Sequence, residues 1–138
     1  MCPSKPLPFV AAFPFAVALM MSPPLDAHHS FAGTYDASKE VTIKGKIVEV
    51  SLRSPHSFFF VETQDAKGSV QRWSFEAASS AQFAQQGVTR DALKVGDVVE
   101  AVGNPARSMT TGFRARLLKI VRPSDGWSWG TRPGETAQ

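Results

Sequence analysis

The chain has 138 residues, one cysteine, 15 lysine and arginine residues and 12 acidic residues, which give a formal net charge of +3. This length allows one domain with a hydrophobic core and short terminal segments, and so mild an excess of positive charge does not predict nucleic-acid binding. The single cysteine, Cys2, excludes an intramolecular disulfide.

The N-terminal segment has the pattern of a secretory signal peptide. Lys5 precedes an apolar run of about fifteen residues, Leu7 to Met21. A lone run that is shorter than about 20 residues and contains prolines argues against a permanent membrane span. Cleavage is expected after the small Ala27, so that residues 1–27 are removed and the periplasmic or secreted chain starts at His28 and contains no cysteine.

The body of the chain, residues 28–126, has the pattern of short strands. In the first strand, predicted from Val41 to Leu52, apolar residues stand at odd positions up to Ile47 and at even positions from Val48 onward. A change of parity within one strand indicates a bulge, as in the bent first strand of a small barrel. The other strands are predicted at 56–63, 70–75, 98–102 and 113–121, with a turn at 65–68 and a break at 104–105.

One short helix is predicted within residues 77–86. Ser79 or Ser80 can cap it, Phe83 is its expected core contact, and Gly87 ends it. The order of three strands, a helix and two strands predicts an all-β fold with one short helix, a small five-stranded OB-like barrel. A different small barrel or an open α+β sheet is the alternative. Residues 127–138 are predicted to be a partly disordered C-terminal tail whose tryptophans can pack on the barrel.

The histidines are the only residues that form a candidate chemical site. Cleavage before His28 would leave a free amine and an imidazole on one residue, which suits Cu(II), and His29 could add a nitrogen. His56 lies where the connection between the first two strands should reach the ligand face of the barrel. The three histidines are therefore predicted metal ligands, and copper is the first choice of metal. Asp36 and Glu62 are weaker candidates, because surface and turn carboxylates are common.

Structural roles remain open for each of these residues. The His28-His29 pair can be a mobile terminus, and His56 can pack on a neighbouring ring or cap a turn. No nucleophile motif, paired carboxylates or glycine-rich phosphate loop occurs, so the chain is not expected to be an enzyme, and copper redox chemistry is the only catalytic route that the sequence suggests. The run of three phenylalanines at 58–60 must place at least one face in the core, which argues against a base-stacking platform.

Several motifs together resemble a known family. They are His28 to Ala32, Tyr35-Asp36, the strand that contains Gly45, Pro55-His56, the segment 73–76, Gly96-Asp97 and Gly103 to Ala106. This set is similar to a family of small exported bacterial proteins of unknown function, which start with Ala-His-His-Ser-Phe and carry an Asn-Pro-His element. The resemblance implies export and an OB-like barrel but no activity. This chain has Ser54 where asparagine is usual.

The sequence therefore predicts an exported, periplasmic binding module with a copper site at His28, His29 and His56. The alternative is a structural or interaction protein without metal. Its barrel rim, through Phe31, Tyr35 and the two tail tryptophans, would dock an envelope partner or a small organic ligand. Neither hypothesis includes nucleic acid as a partner or a stable membrane span after processing.

Overall fold

The computed structural model describes Met1 and residues 31–130. The predicted signal peptide, His28, His29 and residues 131–138 lie outside the described residues. The elements are α1 (Phe31–Thr34), β1 (Val41–Ser51), β2 (Ser57–Gln64), β3 (Val70–Ala77), α2 (Ser80–Gln85), β4 (Val98–Pro105), β5 (Phe113–Arg122) and β6 (Trp127–Gly130). No helix among the described residues is long and apolar enough to cross a membrane.

The first five strands form a closed barrel, which confirms the predicted fold class. The strands follow the order β3-β2-β1-β4-β5-β6, and a parallel pairing between β3 and β5 closes the barrel. The other pairings are antiparallel. Two features differ from the prediction of a single helix and five strands. The chain forms an extra helical turn, α1, before the barrel, and Trp127–Gly130 of the predicted tail pairs with β5 as β6.

The predicted parity change in β1 is a bulge. The register of β1 against β2 shifts between Ile47 and Glu49, so Val48 is the extra residue. Ile47 before the bulge is fully buried in the barrel. Val50 and Leu52 after it are partly buried and pack at the edge of the core. The extra residue shifts the inward-facing positions from odd to even, so Ile47 and Val50, which pair with the core residues Val61 and Phe59, both face the barrel interior.

The helix α2 covers one end of the barrel. Ser79 accepts a hydrogen bond from the backbone of Gln82, whose side chain bonds back to Ser79, and Gly87 follows the helix with a φ of 75°. The Phe83 ring meets the Phe59 ring edge-on at 5.9 Å, and both rings are 2% exposed. Burying such a side chain contributes about 1.5–3 kcal/mol. The predicted cap, core contact and end of this helix are confirmed.

The strand β4 is longer than predicted. Residues 104–105 were expected to break it, but the strand continues to Pro105, which pairs with Ala115 of β5. A proline is tolerated there because it ends the strand, where one missing N–H costs little. The Pro105 carbonyl accepts from Asp36 N–H at 2.9 Å, and Tyr35 bridges to Ala106. This extension holds the segment after α1 against the barrel.

Candidate functional site

His56 lies in the connection between β1 and β2, directly before β2. Its side chain is 38% exposed, and its Nδ1 is 3.5 Å from Oε1 of Glu76. The ring of Phe31 meets the imidazole edge-on, with 5.2 Å between the ring centroids. The predicted position of His56 at the barrel surface is therefore correct, and its two neighbours come from β3 and from α1.

Glu76 connects His56 to a buried tyrosine. Glu76 stands opposite Phe58 in the pairing of β2 with β3, which places it beside the start of β2. Its side chain is 15% exposed. Oε2 accepts a hydrogen bond from the Tyr35 hydroxyl, while Oε1 faces His56. One carboxylate thus joins a phenol and an imidazole, and its two oxygens serve different partners.

Tyr35 is an internal hydrogen-bond donor rather than a docking residue. It is 2% exposed, which removes it from the predicted rim surface. Burial, followed by the hydrogen bond to Glu76 and the charge of that carboxylate, raises the pKa of the Tyr35 phenol. The phenol therefore stays protonated at neutral pH and can donate to the carboxylate.

Phe31 is held between a cation and the imidazole. Arg116 comes from strand β5. Its guanidinium carbon lies 4.4 Å from the centroid of the Phe31 ring. Contacts of this kind contribute about 0.5–1 kcal/mol at exposed sites. Arg107 also fixes α1, since its Nε donates to the Ala32 carbonyl and its backbone N–H to the Thr34 carbonyl, both at 3.0 Å. The chain that follows the His28-His29 pair is thus anchored beside His56.

Only one of the three predicted metal ligands can be located. His28 and His29 lie outside the described residues, and within residues 31–130 no group of three histidine, cysteine or carboxylate side chains could hold a metal ion. The weaker candidate Asp36 bonds to Ser38 and is 3.3 Å from the Lys39 ammonium. These contacts fit the interpretation of Asp36 as an ordinary turn carboxylate rather than a metal ligand.

Sequence reasoning missed Glu76 as a partner of His56. The available signal was the hairpin register. The turn at residues 65–68 pairs Gln64 with Val70, and counting back along both strands brings Glu76 opposite Phe58. Such a count needs the turn geometry, because a shift of one residue would have put Glu76 on the opposite face.

The remaining predicted rim residues lie in separate contacts. The Trp129 ring is 4.6 Å from Phe83, and its Nε1 donates to Gln86 Oε1 at 2.6 Å. Trp127 lies 5.7 Å from the Arg122 guanidinium. Both tryptophans are half-buried. Both tryptophans thus pack back onto the barrel core, as the sequence allowed, and Trp129 does so beside α2.

The phenylalanine run divides between the two faces of β2. Phe59 is in the core, whereas Phe58 and Phe60 are half-buried on the outer face with their rings stacked at 6.5 Å. The Arg72 guanidinium lies 4.8 Å above the Phe60 ring and is also paired with Glu49 at 2.6 Å. Aromatic side chains therefore do line the outer face that leads to His56.

Residues 17–114 match a family of unknown function, DUF6152. The chain belongs to this family. No curated protein is significantly similar to it in sequence. The matched residues include β1 to β4 and the first two residues of β5.

Solved structures of similar fold include two single-stranded DNA-binding proteins. The mitochondrial protein Rim1 from S. cerevisiae has 13% identity and a TM-score of 0.45, with 59% of this chain and 90% of Rim1 covered. A small single-stranded DNA-binding protein from Streptomyces coelicolor has 15% identity and a TM-score of 0.41, with 61% and 91% covered. At these identities the likeness concerns the fold alone.

These neighbours correct one prediction. The sequence predicted no nucleic-acid partner, and that exclusion is corrected: both similar structures are single-stranded DNA-binding proteins, although a likeness at these identities concerns the fold alone and assigns no ligand to this chain. The exclusion relied on the mild net charge, on the expected export from the cytoplasm, and on the expectation that at least one face of the phenylalanine run is core. That last expectation is confirmed, since Phe59 is buried while Phe58 and Phe60 are half-buried on the outer face.

Proposed function

We propose that this DUF6152 protein is an exported, periplasmic binding module that holds a transition-metal ion, with copper first, at its mature N-terminus. The ligands are the amine and imidazole of His28, the imidazole of His29, and His56. Cleavage after Ala27 supplies the free amine. An amine and several imidazoles suit Cu(II), which binds such nitrogen sets more tightly than the other divalent first-row metals.

One observation carries the proposal, namely the contact of Phe31 with His56. The two ring centroids are 5.2 Å apart. His29 precedes Phe31 by two residues and His28 by three, so an extended backbone limits their Cα atoms to about 7 and 11 Å from that of Phe31. Arg116 holds the Phe31 ring beside His56, which supports a site that the preceding histidines could reach. These limits support the proposal that the N-terminal histidines and His56 form one site.

Glu76 prepares His56 for this role. Ligating imidazoles commonly donate their second ring N–H to a carboxylate, which fixes the tautomer. Glu76 Oε1 faces Nδ1 of His56, so Nε2 is the nitrogen that would bind the ion. Tyr35 holds the other carboxylate oxygen in place. Glu76 is therefore a positioning residue and not a ligand in this proposal.

The test uses the full chain expressed in a bacterium and purified from the periplasm. Intact mass gives the first residue, and copper titration followed by calorimetry and electron paramagnetic resonance gives affinity and ligand set. One-to-one binding is expected, with nitrogen hyperfine structure that changes in His56→Ala. An alanine inserted between Ala27 and His28 should also weaken binding, because it moves the amine away from the imidazole.

Glu76→Gln tests the positioning role. Loss of such an outer partner typically weakens metal affinity about 10- to 100-fold. Glu100→Gln is the matched control, since Glu100 lies on β4 and its ion pair is with Lys44. Binding that survives His56→Ala would reduce the site to the general affinity of a His-His terminus. No binding at all would refute the metal site and favour docking without metal.

A further inference from the structure

A groove runs along the barrel between α2, the end of β1 and the segment that follows α2. Its first part, of about 430 Å³, lies against α2. Its second part, of about 340 Å³, extends toward Val95. Leu52 and Arg90 line both parts, which makes them one continuous groove. Each part has the size of a small-molecule site, about 300–1,000 Å³.

The two parts differ in chemistry. The part beside α2 is walled mainly by the apolar side chains Leu52, Phe83, Ala84 and Val88. The part beside Val95 carries two cations, Arg90 and Lys94, and neither part is lined by a carboxylate among the described residues. The groove therefore changes from apolar to cationic along its length.

Residues after the β1 bulge supply the apolar wall. Val50 pairs with Phe59, which is buried in the core, so the even positions after the extra residue Val48 face the same side as Ile47 before it. Val50 and Leu52 pack at the edge of the core and are only partly buried. Phe59 and Leu93 line the groove together with them. A bound apolar chain would remove this partly exposed apolar surface from water.

The cations are available to a ligand. Neither the Arg90 guanidinium nor the Lys94 ammonium has an ion pair or a side-chain hydrogen bond within residues 31–130. Nearby Asp97 is engaged elsewhere, since it accepts from the Lys94 backbone N–H at 3.0 Å and pairs with Arg122 at 2.7 Å. Two unneutralised cations at one end of an apolar groove complement an anionic head group.

We propose that this groove binds one molecule of a single-chain anionic amphiphile such as a fatty acid. The apolar chain lies against Leu52, Phe83 and Val88, and the head group lies between Arg90 and Lys94. This site is separate from the His56 site and does not depend on the proposed metal function.

The test is calorimetric titration of the metal-free protein with dodecanoate below its critical micelle concentration. Dodecyltrimethylammonium is the matched probe, because it has the same chain and the opposite charge. Saturable one-to-one binding is expected for dodecanoate only. The double variant Arg90→Glu with Lys94→Glu should bind dodecanoate at least about tenfold more weakly and should gain affinity for the cationic probe.

Filling the groove tests the apolar end. Ala84→Trp places a large ring on the exposed surface of α2 at the groove wall. It should lower the affinity for dodecanoate by at least about tenfold. Ala66→Trp and Lys67→Glu, in the exposed turn between β2 and β3, are the matched controls and should bind like wild type. His56→Ala should also bind dodecanoate normally, which separates this site from the metal site.

Three results would overturn the proposal. They are equal binding of both probes, binding that is unchanged in the charge-reversed or groove-filled variant, and co-sedimentation with anionic lipid vesicles without binding of monomeric dodecanoate. The last result would assign the cations to a membrane surface instead.

Discussion

Gly45 allows β1 and β2 to approach closely, and Gly45→Ala is expected to destabilise the barrel. A Cβ atom at this position would lie 2.1 Å from the Glu62 carbonyl oxygen and 2.9 Å from a methyl carbon of Val61. Ordinary contacts of a Cβ begin at 3.4 Å. The oxygen belongs to the backbone and cannot rotate away, so the two strands must separate locally by about 1 Å.

The expected cost follows from this overlap. Overpacking in a well-packed structure typically costs about 1–3 kcal/mol. Separation beside the pair Lys46 and Glu62 also weakens ladder hydrogen bonds, at about 0.5–1.5 kcal/mol each. Together these effects predict a loss of about 2–4 kcal/mol in the free energy of unfolding. Each kcal/mol lowers the melting temperature of a domain of this size by about 4–8 °C.

Urea unfolding, followed by far-ultraviolet circular dichroism, measures this loss. Gly33→Ala is the matched control, because a Cβ at Gly33 in α1 meets nothing within 4 Å and its φ is not positive. That substitution should leave stability unchanged or raise it by up to about 1 kcal/mol. A Gly45→Ala variant within about 0.5 kcal/mol of wild type, at unchanged m value, would refute the argument that β2 blocks a side chain here.

Three further substitutions test separate parts of the structure. Ser79→Ala removes the cap of α2 and should cost about 0.5–2 kcal/mol by urea unfolding; no change would mean that the capping box adds nothing. Tyr35→Phe removes the donor to Glu76 and should cost about 1.5–3 kcal/mol at neutral pH. The pKa of the Tyr35 phenol is raised in the folded state, so wild type should lose stability as the pH rises above 10, and Tyr35→Phe should lose less. Parallel curves of unfolding free energy against pH for the two proteins would contradict this. The Lys94 backbone N–H, with a smaller contribution from the Arg122 guanidinium, lowers the pKa of Asp97. The free energy of unfolding should therefore fall as the pH drops below about 4. Asp97→Asn should reduce this pH dependence in acid unfolding curves.

Local signals determined much of the fold. The parity change in β1, the turn at residues 65–68 and the capping serine of α2 act over a few residues, so the sequence displays them directly. Strand extension to Pro105 was missed because the break signal is local, whereas the partner Ala115 that overrides it comes from another strand. The helical turn α1 was missed for a similar reason, since contacts with Arg107 and Arg116 hold it.

The candidate site divides in the same way. The sequence by itself determined that His56 would stand at a strand connection and that a histidine pair would precede the barrel at its N-terminus. Only the tertiary structure decided that Glu76, Tyr35 and Phe31 surround His56, and that the apolar residues after the β1 bulge form a groove with two cations at its end. These residues are far apart in the chain. Their proximity depends on strand register and barrel closure, and both are fixed by the packing of the whole core rather than by any short stretch of sequence.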